Sequence, residues 1–293
     1  MENKLVIGTA NFGMNYGQGM DSRMLSEQTT KEILQFARRL GIKTLDTAIS
    51  YGDCSKRLGI IGIEDWKVIT KIPKIPNGIN DVNDWVKHSI SQSAQEIGVS
   101  MFEAILIHNP GDFVGEHGKE LLWSLEDLKK KGVTKKIGVS VYEKKDLEII
   151  LNIFQPEIVQ CPVNIVDKRL LKNKYLHDIS NMGIEVHIRS IFLQGLLTYA
   201  TENIPVEFAR FKDFWQNWKS WLSSQKLTPV EACVRFVNSI QGIDKIVIGV
   251  NSTLHLQEIF HYFSKPPIKE EPRWGSDLET ELIDPRLWNQ NKT

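Results

Sequence analysis

Short β-rich apolar runs alternate with amphipathic helical patterns along almost the whole chain. The strand candidates are Lys4–Gly8, Lys43–Asp46, Lys67–Lys71, Glu103–His108, Lys136–Ser140, Glu157–Cys161, Glu185–Arg189 and Lys245–Ile248. Helical patterns fall between them over Thr29–Leu40, Val82–Ile97, Glu116–Lys131, Lys144–Phe154, Lys174–Met182, Pro229–Ile240 and Leu254–Phe263, with a weaker one over Ser55–Ile61. In the first of these, Ile33, Leu34, Ala37 and Leu40 fall on one helix face. Gly41, Gly98, Gly132 and Gly183 each follow a helical pattern, where a left-handed residue closes a helix. Thr228 before Pro229 is a helix start with proline in its first position. Strict alternation implies right-handed crossovers between parallel strands, and eight units predict an α/β fold closed as a (β/α)8 TIM barrel. No GxGxxG follows the first strand, which argues against an open dinucleotide-binding sheet. No linker or composition break divides the chain, so residues 1–293 read as one domain, with an extra helical segment after strand seven and a C-terminal tail.

Charge and cysteine content narrow the function classes. Lys and Arg total 36 against 36 Asp and Glu, a balance unlike that of a general nucleic-acid binder. No apolar run approaches the length of a membrane span, and no secretory leader precedes the first strand. Cys54, Cys161 and Cys233 are widely spaced and form neither a disulfide framework nor a metal-ligand pair. The expectation is a cytoplasmic protein without metal or membrane partner, monomeric or a small homo-oligomer.

In a barrel, chemistry belongs at the C-terminal strand ends and the loops beyond them. There the chain carries Asp46 and, five residues on, Tyr51; Lys71 ends strand three and His108 ends strand four. Each alone has an ordinary structural explanation, as turn acceptor, rim residue, solvated charge or hydrogen-bonded imidazole. Together, an acid, a phenol, an amine and an imidazole converge on one barrel mouth. Such a set suits carbonyl reduction. Tyr51 would give a proton to the carbonyl oxygen, Lys71 would lower the phenol's pKa, Asp46 would hold Lys71 charged, and His108 would orient the substrate.

At these residues the chain resembles the aldo-keto reductase family. Gly41-Ile42-Lys43-Thr44-Leu45-Asp46-Thr47-Ala48, Tyr51-Gly52 and Leu58-Gly59 look like its signature, and Lys71 and His108 match its Lys and His. Ile137-Gly138-Val139-Ser140, Gln160 with Asn164, Gln194-Gly195-Leu196-Leu197 and Ile248-Gly249 continue the match along the chain. The resemblance implies a nicotinamide cofactor, NADP(H) first and NAD(H) second. The implied contacts are Thr9, Ser140, Gln160, Arg189, Ser190, Gln194, Gly195, Gly249, Asn251, Ser252 and Glu258. Val141 stands where the family usually has Asn, and Arg189 where many members have an aromatic ring on the nicotinamide. A guanidinium can also stack there; a cofactor phosphate, an acidic substrate or a structural ion pair are its other readings. Ser252 is also a plain helix cap, and Gln160 is also placed to bond a neighbouring strand end.

Asn11, Phe12 and Asn164 are the candidate substrate-pocket residues, within or opposite the Gly- and amide-rich loop Asn11–Gly19. They suggest a small carbonyl compound, sugar-like more than apolar. Phe208, Phe211, Trp215, Trp218 and Leu222 predict a helix with an aromatic face packed on the barrel, or serving as a lid over the cofactor or a dimer contact. The tail, with Trp274 and Trp288, is expected to fold back on the barrel. The resemblance points to an NAD(P)H-dependent oxidoreductase interconverting an aldehyde or ketone with an alcohol. The alternatives are a sugar dehydrogenase running towards oxidation and a low-turnover nucleotide-sensing subunit.

Overall fold

The computed structural model describes residues 3–18, 22–199, 203–272 and 280–288. Its eight parallel strands close in sequence order into a barrel. They are β1 (Leu5–Gly8), β2 (Thr44–Asp46), β3 (Lys67–Ile72), β4 (Phe102–Ile107), β5 (Thr134–Ser140), β6 (Ile158–Pro162), β7 (Glu185–Arg189) and β8 (Lys245–Gly249). The helices are α1 (Ala10–Gly13), α2 (Glu27–Arg39), α3 (Cys54–Ile61), α4 (Val82–Ile97), α5 (Gly118–Lys130), α6 (Lys144–Leu151), α7 (Tyr175–Asn181), α8 (Lys212–Gln225), α9 (Pro229–Asn238), α10 (Thr253–Phe263) and α11 (Thr280–Ile283).

Local chemistry sets the helix ends. Ser26 accepts from the Thr29 amide at the start of α2, Asp81 from Asp84 at α4, and Thr228 from Glu231 at α9. Gly41, Gly98, Gly132 and Gly183 all have positive φ, as the helix-closing role requires. Helix α2 buries Thr30, Ile33, Leu34 and Ala37, one stripe at three- and four-residue spacing.

Alternation along the strands divides the apolar side chains into two groups. Val68, Ile105, Ile107, Val159, Val186 and Ile188 belong to the large core between sheet and helices. Ile69, Ala104, Leu106 and Ile158, of the opposite parity, form a separate cluster inside the barrel. Continuing that inner parity towards the C-terminal ends brings up Lys71, His108 and Gln160, so the apolar plug forms the floor beneath the polar mouth.

The aromatic segment is shorter as a helix than its spacing suggests. Val206–Phe208 is a single tight 3₁₀ turn, and α8 begins only at Lys212, so Phe208 and Phe211 precede it. The Trp215 indole donates to the Phe208 carbonyl at 2.9 Å and ties the turn to the helix. Phe214, Trp215, Trp218 and Leu222 are buried in the main core, and none lines the cavity described below. In the tail, Trp288 packs edge-on against Phe208 with ring centres 4.8 Å apart. Trp274 and Gly19 lie outside the described residues. No helix of the described residues is long and apolar enough to cross a membrane.

Candidate active site

Strand register places the candidate residues side by side at one end of the barrel. Gly8 pairs with Asp46 and with Gly249, and Ser140 pairs with Gln160. Lys71 and Asp46 meet across adjacent strands, Nζ to Oδ1 at 2.5 Å, both almost completely buried. Lys71 also donates to the Thr47 carbonyl at 2.9 Å, and Gln160 Nε2 donates to the second Asp46 oxygen at 2.6 Å. Asp46 is thus held from both sides. Burial pulls the Lys71 amine down from its ordinary value, and the adjacent carboxylate opposes that pull.

Tyr51 stands over this pair, with Lys71 Nζ 5.3 Å from its ring centre and the His108 ring edge-on at 6.1 Å. Two glycines fix its turn. A Cβ on Gly13 would fall 2.1 Å from the Tyr51 carbonyl oxygen, and one on Gly52 would fall 2.4 Å from the Gly13 carbonyl oxygen. Gly52 also has φ +56°. The backbone of α1 therefore lies directly against the tyrosine turn. Burial raises the Tyr51 phenol above its ordinary range, the Asp46 charge adds to the rise, and Arg189 opposes it. The expected lowering by Lys71 is not what this geometry gives, because Asp46 screens that ammonium and the phenol is desolvated. Burial, with Lys71 and Arg189 beside it, lowers His108 to about 4, so its imidazole is neutral at pH 7 and one ring nitrogen can donate.

A cavity of about 360 Å³ runs from Asp46, Tyr51 and Arg189 to Gly249, Asn251 and His255. Thr9, Asn11, Ser190, Gln194 and Gly195 line it too. Thr9 donates to the Asp46 carbonyl at 3.1 Å, and Asn11 donates to the Val250 carbonyl and to Asn251 Oδ1, tying the first loop to the last. A Cβ on Gly249 would meet nothing within 4 Å, so the chain there faces open space. Ser190, Gln194 and Gly195 on this lining, and the buried Leu193 between them, all have positive φ, an uncommon concentration of left-handed residues.

Other expected residues sit elsewhere. Phe12 is fully buried in the core, against the wall but not facing the cavity. Asn164 is also fully buried; its oxygen accepts from the Val166 and Asp167 amides and its nitrogen donates to the Ser190 carbonyl. It braces two turns. Ser252 Oγ accepts from the His255 amide and caps α10, and Glu258 lies further along that helix, outside the cavity lining. Arg189 spreads over the Tyr142 ring, 4.2 Å from its centre. Tyr142, Phe192, Thr198 and Tyr199 lie in or beside the cavity although no motif pointed to them. Their only sequence signal is position, just past the ends of β5 and β7.

The sequence model of the Aldo/keto reductase family matches residues 4–272. The chain belongs to that family. A curated aldo-keto reductase from Mycobacterium ulcerans (strain Agy99) is 27% identical over 161 residues, 53% of this chain and 54% of that protein. The chain thus aligns with about half the length of that curated relative. An aldo-keto reductase from Bacillus halodurans, solved in its holo form, superposes with a TM-score of 0.71 at 17% identity, covering 92% of this chain and 89% of that one. A putative aldo-keto reductase from Pseudomonas aeruginosa gives 0.67 at 18%, covering 89% and 90%. A glycerol dehydrogenase from Gluconobacter oxydans gives 0.68 at 17%, covering 92% and 89%. These likenesses establish that the aldo/keto reductase fold is shared.

The residues present fit the family's nicotinamide cofactor. Ser140 Oγ and Gln160 Oε1 are buried at the mouth without a hydrogen-bond partner, adjacent in register. Such atoms carry a desolvation cost unless a ligand satisfies them, and a carboxamide offers both a donor and an acceptor. Among the described residues, no group of three or more His, Cys, Asp and Glu side chains is placed to hold a metal ion.

Proposed function

We propose that this protein is an NAD(P)H-dependent oxidoreductase that interconverts an aldehyde or ketone with an alcohol. The observation that carries the reading is the buried Asp46–Lys71 pair beneath the Tyr51 ring. A bound nicotinamide would supply the hydride. The protein's part is to hold the carbonyl, exclude water and move one proton.

Ser140 and Gln160 would hold the carboxamide. Thr9, Asn11, Ser190, Gln194, Gly195, Gly249, Asn251 and the capped start of α10 would carry the rest of the cofactor along the cavity; Glu258, beyond that lining, would meet only an adenine that extends past it. The Arg189 face away from Tyr142 would lie against the nicotinamide ring. His108, neutral, would donate to the carbonyl oxygen and orient it. Tyr51 OH would then give its proton to that oxygen as negative charge develops. A phenol with a raised pKa keeps its proton until that charge forms, and Lys71 beneath it stabilises the phenolate left behind. Asp46 and the Thr47 carbonyl keep the ammonium aimed at the phenol. In the oxidative direction the same groups take the proton back.

NADP(H) is the first candidate by family resemblance and NAD(H) the second. His255 is the side chain at the α10 end that a 2′-phosphate would meet. The cation at Arg189 disfavours an oxidised, positively charged nicotinamide, so reduction is the favoured direction over a dehydrogenase role. The three buried thiols suit a reducing compartment such as the cytoplasm.

Tyr51→Phe tests the reading. Carbonyl reduction should fall by a factor on the order of 10²–10⁴, while titration shows NADPH still bound. Full activity in the variant would sink the assigned proton donor. Cofactor binding without turnover of any aldehyde or ketone in the wild type would favour the nucleotide-sensing alternative.

A further inference from the structure

Tyr142 carries two arginines, Arg189 and Arg286, each with its guanidinium carbon 4.2 Å from the ring centre. Their charges are handled differently. Arg286 donates to both oxygens of Asp284 and to Glu143. Among the described residues, the hydrogen bonds of Arg189 are two long ones, to Ser190 Oγ at 3.4 Å and to the Val141 carbonyl at 3.5 Å. Among the described residues no carboxylate lies within ion-pair distance of it. Burial works against its charge, and its near neighbours are the phenols of Tyr142, Tyr16 and Tyr51.

A guanidinium has five donors in a rigid fork, and enclosing it without a counter-ion is costly. Tyr142 fixes its plane, which removes most of the ordering cost of binding a ligand along its edge. Arg189 lines the same cavity as Tyr51. An anion held by the guanidinium and a carbonyl facing Tyr51 can therefore belong to one small molecule.

We propose that Arg189 is the specificity-determining residue of this site, and that the substrate is a carbonyl compound carrying an oxyanion, carboxylate or phosphate. The proposal rests on the oxidoreductase reading above and adds the substrate class. A planar fork suits both groups, through two parallel N–H···O bonds. The face away from Tyr142 can meet the nicotinamide while the edge meets the substrate, so one side chain serves both.

Two matched pairs test it: glucuronate against glucose, and glyceraldehyde 3-phosphate against glyceraldehyde, with NADPH and the intact enzyme. The wild type should prefer at least one anionic member in kcat/KM by about 10- to 100-fold, the range of a charge-assisted hydrogen-bonded contact. The pair that shows the preference tells carboxylate from phosphate. Arg189→Met should bring that ratio to near unity, and Arg189→Lys should keep part of it. Calorimetric titration of the same four compounds into the NADP⁺ complex separates this proposal from the reading beneath it. Arg189-dependent binding of the anionic member in this titration, together with no turnover of any of the four compounds in the NADPH assay, would sink the redox assignment and leave the anion site standing. Equal ratios in wild type and Arg189→Met, or a loss in Arg189→Met confined to NADPH affinity and shared by all four substrates, would overturn the proposal.

Discussion

Two buried ionic networks meet the barrel mouth, and they differ in completeness. One is inside: Asp46, Lys71 and Gln160, with Gln160 Oε1 and the neighbouring Ser140 Oγ left without partners. The other is outside, where Asp284 of the tail is buried and accepts from Arg169 and Arg286. Arg169 also forks onto Asp167, and Arg286 reaches Glu143, so the tail is strapped across the loops after β5 and β6. Hydrogen bonds from Arg286, helped by Arg169, hold the Asp284 carboxyl below its ordinary value although burial pushes the other way. The strap has its polar groups satisfied from within. The mouth does not. Complete networks rigidify a fold, whereas unsatisfied buried atoms mark a place where something else is meant to bind.

The largest expected difference is at Lys71. Lys71→Met leaves Asp46 as an uncompensated buried charge, costing about 3–5 kcal/mol of stability, and carbonyl reduction should fall by a factor on the order of 10² or more. Asp46→Asn combined with Lys71→Met should recover most of the stability in urea melts and none of the activity. Recovery of activity would mean the pair is only structural, like the strap.

Asp284→Ala should be milder, about 1–3 kcal/mol, because both arginines can turn to water. Its initial rates should change far less than those of Lys71→Met; an equal loss of rate would erase the contrast between the networks. Smallest is the effect of pH. The unfolded chain protonates His108 near pH 6.5, whereas the folded protein resists until about 4. Between those values the unfolded state binds the extra proton, so stability falls as pH drops, on the order of 1–2 kcal/mol after allowing for water at the partly buried ring. Comparing His108→Gln with wild type across that window measures it, and superimposable profiles would exclude a depressed imidazole.

The barrel was legible because its signals are local and repeated. Helix Val82–Ile97 and strand Glu185–Arg189 have the boundaries that periodicity implies, and Thr228-Pro229 does open α9. The aromatic segment was legible in its burial but not in its start, because spacing alone does not show that the chain makes a tight turn at Val206–Phe208 first. Phe12 and Asn164 illustrate a second limit. Both stand in the right loops, yet one is core and the other a backbone brace. Which way a loop side chain turns depends on neighbours far away in sequence.

Sequence alone therefore determined the (β/α)8 order, the glycines that close four of the helices and the location of Asp46, Tyr51, Lys71 and His108 at the barrel mouth. Each follows from residue type and periodicity within a short window. Only tertiary structure decided which charges there are paired. Asp46 finds Lys71 and Gln160 across 25 and 114 residues, Arg286 is neutralised by Asp284 and Glu143, and Arg189 lies on Tyr142 with no carboxylate partner among the described residues. Desolvation and charge pairing are sums over three-dimensional neighbours, so they appear only once the barrel has closed.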